Sequence, residues 1–429
     1  MAEAFNHHFI NSGFVSKKVT LLLQPLQPSN TCSLLAPPHS FSIRPVLVGE
    51  VLKELTPLDP NKAAESDDHA SFFIKIAAPV IAAPLTALIN LSLYTAEIPP
   101  AWKEAVVLPL YKGGDQADLN NYRPISILPC VSKILEKLVN KQLINHLNVS
   151  GIISGAQSGF RSRYGCVTAN TKVLNYITSV LDSKQHCAAI FIDLAKAFDS
   201  VDHNTLIHRL SSIGVTDHSL VWFSNYLSHR VQRVRFENLF SHSLPITRGV
   251  PQDSILGPTL FSIYINNIPQ AVGNSLIHLY ADDTILYATG SSADAVQATL
   301  QDSFYQLQQS LTQLKLTLNT SKTQIMWFYR KGTTPPPAFN ITTCKGAILE
   351  QVTAYNYLGI WLETSLSFSI HISKLQSKVK ARLGFLYRNR SSFTTSAILT
   401  LIQMTILPML DYGDTIYRVA YTLSTLDAL

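Results

Sequence analysis

The chain is poor in cysteine, in charge and in uninterrupted apolar runs, and each scarcity closes off a class of protein. Five cysteines in 429 residues (Cys32, Cys130, Cys166, Cys187 and Cys344) are odd in number and widely spaced, with no C-x-x-C among them. Neither a disulfide framework nor a zinc site is indicated, and a reducing, intracellular setting, nucleus or cytoplasm, is expected. Only 14% of the residues are charged, against 46% hydrophobic, which is a globular composition rather than a disordered one. The first thirty residues lack a basic stretch leading into an apolar core, so no secretory signal is read and secretion is not expected. The most apolar run, 76 to 94, carries Pro79, Pro84 and Asn90 and leans on alanine. It reads as a buried or amphipathic helix, with no membrane among the expected partners.

What is present is more informative. The length suits two or three packed units, and a net charge of +6 with pI about 8.9 permits a polyanionic partner without naming one. Residues 24 to 46 are rich in proline and serine, so 1–50 reads as an N-terminal arm or linker and 51–100 as a helical extension. From 101 to 363 the pattern is that of a compact α+β core. An extended segment, 105 to 111, precedes helices; Cys187 to Asp193 is a short apolar run ending in a carboxylate; Asp202 is placed to cap a helix running through Leu206 and Leu210. Segments 230–236 and 243–247 can pair as a ribbon, Gly257-Pro258 opens a second helix, and 275–281 with 284–288 reads as a hairpin turning on Asp282-Asp283. A long amphipathic helix follows through Val296, Leu300, Phe304, Leu307, Leu311 and Leu314, then short strands at 324–328 and 355–362.

Three aspartates therefore stand where strands end. Asp193 and Asp282 are 89 positions apart, yet if their strands are neighbours, the carboxylates of Asp193, Asp282 and Asp283 meet at one edge of an antiparallel sheet. Like charges that close suit a hard cation such as Mg²⁺, which takes oxygen ligands and keeps waters and substrate phosphates around it. Two such ions about 3.5–4 Å apart support in-line phosphoryl transfer. An isolated Asp-Asp is more often a polar turn; the flanking residues decide between the two.

Tyr280-Ala281-Asp282-Asp283 resembles the Y/F-x-D-D box of reverse transcriptases, and Phe191 to Asp199 resembles the motif holding their first metal-binding aspartate. Asn121-Tyr122-Arg123-Pro124-Ile125-Ser126, Gln157-Ser158-Gly159-Phe160-Arg161, Arg248 to Gln252, Ser254 to Pro258, Lys322-Thr323 and Tyr357-Leu358-Gly359 follow in the order found in LINE-type (non-LTR) elements. The resemblance implies an RNA-directed DNA polymerase of right-hand form, with fingers, palm and a partial thumb, the palm built on an antiparallel sheet. It implies a template RNA, a DNA primer and deoxynucleoside triphosphates as partners, and two Mg²⁺ ions, or Mn²⁺ in their place, at Asp193, Asp282 and Asp283. By position, Phe198 matches the aromatic beneath the incoming sugar, Arg161 the fingers arginine that meets the triphosphate, Gln252 the glutamine against the nascent pair, and Lys322 a proton donor to pyrophosphate. Arg123 is a candidate for the same electrostatic role as Arg161, with a structural ion pair as the alternative. In residues 364–429, read as a partial thumb, Lys374, Lys378 and Arg382 fall four apart, backed by Leu375, Val379, Leu383 and Leu386. A helix tracking a nucleic-acid backbone is expected there.

The pattern departs from the family in its glycines. Pro251-Gln252-Asp253-Ser254 has aspartate where glycine is usual, and Lys62 to Asp68 carries Glu65 and Asp68 where two more glycines are usual. Acids in place of glycine point to weakened activity, and any target cleavage is expected to come from elsewhere. The alternative function is a decayed or co-opted nucleic-acid-binding protein that does not polymerise.

Overall fold

The computed structural model describes residues 1–11, 40–60, 71–330 and 340–418. The acid-bearing stretch with Glu65 and Asp68, residues 24–39 of the proline-rich stretch and Pro335 to Pro337 lie outside them. The chain forms two compact units, each assembled from three separated stretches: Met1–Ser154, Ala195–Asn267 and Leu311–Thr317 in the first, Gly155–Leu194, Ile268–Ser310 and Leu318–Leu429 in the second. The two-residue strands β4 (Leu194–Ala195) and β10 (Thr317–Leu318) lie where the chain passes from one unit to the other.

The first unit holds a sheet in the order β2-β1-β5-β6, with β7 also on β5: β1 is Glu104–Tyr111, β2 Tyr122–Ile127, β5 Arg230–Phe236, β6 Leu239–Phe240 and β7 Leu244–Ile246. The ribbon expected from 230–236 and 243–247 is the β5–β7 pair. Strand β2 was not legible because Pro124 interrupts it; it lies on the sheet edge, where a missing N–H is tolerated. Part of the stretch read as an arm is helix α1 (Ala2–Asn11). Phe5 and Phe9, four apart, bury against Val107 and Val234, and the Asn6 amide donates to Ser241 Oγ at 2.9 Å and accepts from Gln232 Nε2 at 3.0 Å. Helices α2 (Val48–Leu55), α3 (Ser71–Thr95), α4 (Cys130–Val149), α6 (His203–Ser212), α7 (Asp217–Leu227) and α8 (Gly257–Tyr264) complete the unit. By length and composition α3 is apolar enough to cross a membrane. Its buried positions Ile74, Ala78, Ala82, Leu85, Ile89 and Leu93 recur three or four apart, the one-sided burial of a helix packed on a protein body.

Asp202 caps α6, its carboxylate accepting from the Thr205 N–H at 3.0 Å and from Lys315 Nζ at 2.6 Å. Burial alone raises its pKa, but Lys315 and Thr205 outweigh it and hold the carboxyl at about 2. A folded pKa below the unfolded value of about 3.9 means a contribution complete above pH 4 and lost as pH falls toward 2. Asp202→Asn is expected to lower stability by about 1–2 kcal/mol at pH 6 and to flatten the pH dependence of unfolding between pH 4 and 2. Denaturant melts at four pH values measure this, and an unchanged slope would remove the assignment.

The second unit is built on a sheet in the order β12-β11-β3-β9-β8, antiparallel except for β11 and β12. Its strands are β3 (His186–Ile192), β8 (Leu276–Tyr280), β9 (Asp283–Gly290), β11 (Gln324–Phe328) and β12 (Glu350–Gln351). Central β3 is buried along Cys187 to Ile192, which explains an unbroken apolar run instead of alternation. Cys187, Ala189 and Phe191 pack with Val173, Ile177 and Leu181 of α5 (Cys166–Asp182). The run read as one strand at 355–362 is a hairpin, β13 (Ala354–Tyr357) and β14 (Ile360–Glu363), turning on Leu358 and Gly359, both at positive φ. The stripe of α9 (Ala293–Gln313) is buried as expected, and the last long helix is α10 (Ser369–Arg388).

Candidate active site

In the second unit the aspartates meet at one end of the sheet. Ile192, the last residue of β3, pairs with Thr284 of β9, so Asp193 follows opposite Asp283 by the same register. Tyr280 pairs with Asp283, which makes Ala281 and Asp282 the two loop residues of the hairpin. The expected turn residues are thus shifted by one: Asp283 opens the strand and does not sit in the loop. Ala281 takes φ +57, the left-handed conformation that a two-residue hairpin demands of its first loop position. For alanine this costs about 1 kcal/mol.

Partial burial, with Asp282 and Asp193 as like-charged neighbours, raises Asp283 to about 6. Burial is the largest cause, and the two neighbouring carboxylates add to it. Asp193 is held from the turn that precedes β11: Asn319 Nδ2 donates to its Oδ2 at 2.7 Å, and its own N–H donates to Thr323 Oγ1 at 3.3 Å. Lys322, exposed, occupies the turn between these two residues. Among the described residues no group of three or more His, Cys, Asp or Glu side chains is arranged to hold a metal ion on its own. Like-charged carboxylates gain from a neighbouring cation, and oxygen ligands are those that Mg²⁺ favours.

A strap lies against the hairpin. Ser158 N–H donates to Leu279 O at 2.9 Å and Leu279 N–H to Ala156 O at 2.8 Å. The Gln157 side chain, fully buried, accepts from Gly159 N–H at 2.7 Å and from Ala281 N–H at 3.4 Å. A Cβ on Gly159 would stand 2.4 Å from the Ala281 nitrogen, so glycine is required by the close approach of the turn. Arg161, half-buried at the end of the strap, donates to Gln157 O at 3.0 Å and stacks 4.4 Å over Tyr164. On α10, Lys374 lies 3.1 Å over the Trp361 ring, Arg382 donates to Thr405 O, and Lys378 is exposed. Leu375, Val379 and Leu386 are buried, whereas Leu383 is exposed and does not back the basic face.

The remaining candidates belong to the first unit. Phe198 stacks on Phe261, centroids 4.4 Å apart. Val250 N–H donates to Phe198 O at 2.9 Å and Gly249 N–H to Val201 O at 2.8 Å, strapping the Arg248–Gln252 segment to residues 198–201. Gln252 Nε2 donates to both Asp199 carboxylate oxygens, at 2.8 and 3.0 Å. Arg123 is exposed on β2. Asp253 is exposed at φ +67.

Residues 111–362 match the family model described as reverse transcriptase (RNA-dependent DNA polymerase). This chain belongs to the reverse transcriptase family. Its relatives include the RNA-directed DNA polymerase from mobile element jockey of Drosophila melanogaster, 28% identical over 393 residues, which cover 89% of this chain and 42% of that protein. The probable RNA-directed DNA polymerase from transposon BS of the same species is 30% identical over 393 residues, 89% of this chain and 43% of the relative. The probable enzyme from transposon X-element is 28% identical over 380 residues, 86% and 41%. The chain spans about two fifths of the length of these relatives.

Within this reverse transcriptase domain, four residues near the candidate sites carried no assigned role in the sequence: Gln157, Asp199, Asn319 and Glu136. Asp199 and Gln157 stood inside recognised motifs, so a signal was there. Asn319 and Glu136 become visible only through long-range contacts.

Proposed function

We propose that this chain is an RNA-templated DNA polymerase that adds deoxynucleotides to a primer 3′-hydroxyl. The observation carrying this reading is the meeting of Asp193, Asp282 and Asp283 at one sheet end inside the matched stretch. In the proposed right-hand arrangement of fingers, palm and partial thumb, Asp193 and Asp282 hold two Mg²⁺ ions, with Asp283 supporting them. Bound there, the ions would supply activation of the attacking hydroxyl and charge stabilisation at the leaving oxygen. The chain's own residues orient the reactants. Arg161 offers a planar fork to triphosphate oxygens, Arg123 adds positive charge, Phe198 leaves no room for a 2′-hydroxyl, Gln252 lies against the nascent pair, and Lys322 gives a proton to pyrophosphate. Lys374, Lys378 and Arg382 follow the phosphates of the template and primer. The setting proposed is intracellular.

A second reading, a nucleic-acid-binding protein without polymerase activity, is favoured by Asp253. Its backbone sits in a conformation that glycine adopts freely and aspartate less so, beside a segment proposed to meet a triphosphate of like charge. Because Asp253 is exposed, solvent screens much of that repulsion. Asp253→Gly is therefore expected to raise steady-state extension about tenfold, or about 1.4 kcal/mol. The test is extension of an oligo(dT) primer on poly(A) with Mg²⁺ by wild type and Asp253→Gly. Equal rates in the two would show that Asp253 does no harm, and no extension by either would favour the second reading.

A further inference from the structure

Beneath the segment that carries Gln252 lie a buried glutamate and a buried arginine. Glu136 of α4 is 1% exposed, and one carboxylate oxygen accepts from two consecutive backbone N–H groups, Ile255 at 2.7 Å and Leu256 at 3.2 Å. These are the last residues before α8, so a carboxylate from a helix 119 positions earlier holds the turn 251–256 at its exit. Its other oxygen is buried, and the carboxyl group also bonds the Tyr226 side chain. Burial pushes the Glu136 carboxyl above its ordinary pKa, and the charge of Arg230, the first residue of β5 and 2% exposed, opposes that shift. The Arg230 guanidinium lies over the Tyr226 ring at 5.1 Å and donates to Tyr226 O at 3.2 Å, while Nε and Nη2 have no partner. A cavity of about 50 Å³ is lined by Arg230, Asp199 and Gln252 together.

Two observations argue against simple packing. Burying a carboxylate and a guanidinium is expensive, and apolar residues of similar volume usually stabilise as well or better. The carboxylate is also spent on backbone donors of a turn instead of on its counter-ion. The turn is tightly built: Gly257 N–H donates to Ser254 Oγ at 2.9 Å, and a Cβ on Gly257 would meet Ser254 Oγ at 2.5 Å and Pro251 O at 3.0 Å. With its exit pinned by Glu136 and its entry strapped by Gly249 and Val250 to residues 198–201, Gln252 has one place to be, against Asp199.

We infer that Glu136 and Arg230 are positioning residues: Glu136, bonded to the Ile255 and Leu256 N–H groups, and Arg230, which lines one cavity with Gln252 and Asp199, fix the turn 251–256, and through it the Gln252–Asp199 contact, in the geometry needed for the incoming nucleotide. The role of Gln252 rests on the polymerase reading above; the clamp itself does not.

The experiment joins two measurements on Glu136→Gln, Arg230→Gln and the double variant, using the full chain. In hydrogen exchange, each single variant is expected to speed exchange of amides in 250–257 at least tenfold while those of α9 stay unchanged. In primer extension, the KM for deoxynucleotide is expected to rise about tenfold with kcat and template–primer affinity within twofold. The double variant should be no worse than either single one, because the two act as a unit. Unchanged exchange at 250–257 in Glu136→Gln overturns the clamp. Exchange that rises throughout the chain, with kcat, KM and template affinity failing together, overturns it in favour of general stability. If neither wild type nor Asp253→Gly extends a primer, the polymerase reading has failed and the exchange data still decide the clamp. Should Glu136→Gln not fold, Arg230→Lys, which keeps the charge and loses the fork, carries the same exchange test.

Discussion

Asp282→Asn is expected to reduce primer extension by a factor of at least about 10³, with the fold intact. The substitution keeps size and removes the charge, and losing one ligand of a cation that stabilises the transition state is worth several kcal/mol. Asp282 suits this test better than Asp193. It is an exposed loop residue of a two-residue hairpin, a place where asparagine is as well accommodated as aspartate. Asp193 also accepts a hydrogen bond from Asn319, so its replacement disturbs structure and chemistry together. Extension is measured with purified variant and wild type at equal template–primer occupancy, alongside thermal melting. A variant that melts with the wild type and extends at the wild-type rate would end the assignment of these carboxylates.

Gly159→Ala is expected to have the next largest effect. The added methyl group would stand 2.4 Å from the Ala281 nitrogen, 3.0 Å from the Tyr280 carbonyl carbon and 3.1 Å from Gln157 Oε1. Two of the three obstacles are backbone of the β8–β9 turn, which cannot swing aside as a side chain can. Either the strap lifts from the turn or the turn moves with it, and both loosen the bond from Ala281 N–H to Gln157. Overpacking of this kind costs about 1–3 kcal/mol of stability, and a displacement near 1 Å at reacting groups costs about a hundredfold in rate. Gly155→Ala is the control, since a Cβ there meets nothing within 4 Å; it should stay within twofold of wild type. Wild-type extension by Gly159→Ala would mean that the strap does not govern the turn.

Local patterns proved the most legible part of the sequence. An apolar run ending in a carboxylate became β3, a capping aspartate with apolar residues four apart became α6, and two apolar runs with a short polar joint became the β8–β9 hairpin. Each is decided within a dozen residues, where pattern and propensity act. The one-residue error at the hairpin has a local cause. An alanine is not expected at positive φ, so pattern alone places Ala281 in the strand and Asp283 in the turn. Leu358 hid the β13–β14 turn for the same reason, a bulky residue in the left-handed region beside Gly359. What stayed out of reach is non-local. Asn319 reaches Asp193 across 126 positions and Gln157 reaches Ala281 across 124. No periodicity records such contacts, and an asparagine or buried glutamine has nothing in its neighbours to announce its partner.

The threading of the chain has a consequence for how it is made and how it fails. Neither unit is a continuous segment: the first is complete only when Leu311–Thr317 has been synthesised, and the second draws on stretches from Gly155 onward to the C-terminal part. On the ribosome, the early strands β1 and β2 wait for β5 more than a hundred residues later before their sheet can close, so long-range pairing sets the pace of folding. A stop codon anywhere between 155 and 310 leaves neither unit whole, and a genomic copy interrupted there would yield protein for the degradation machinery, not a smaller working domain.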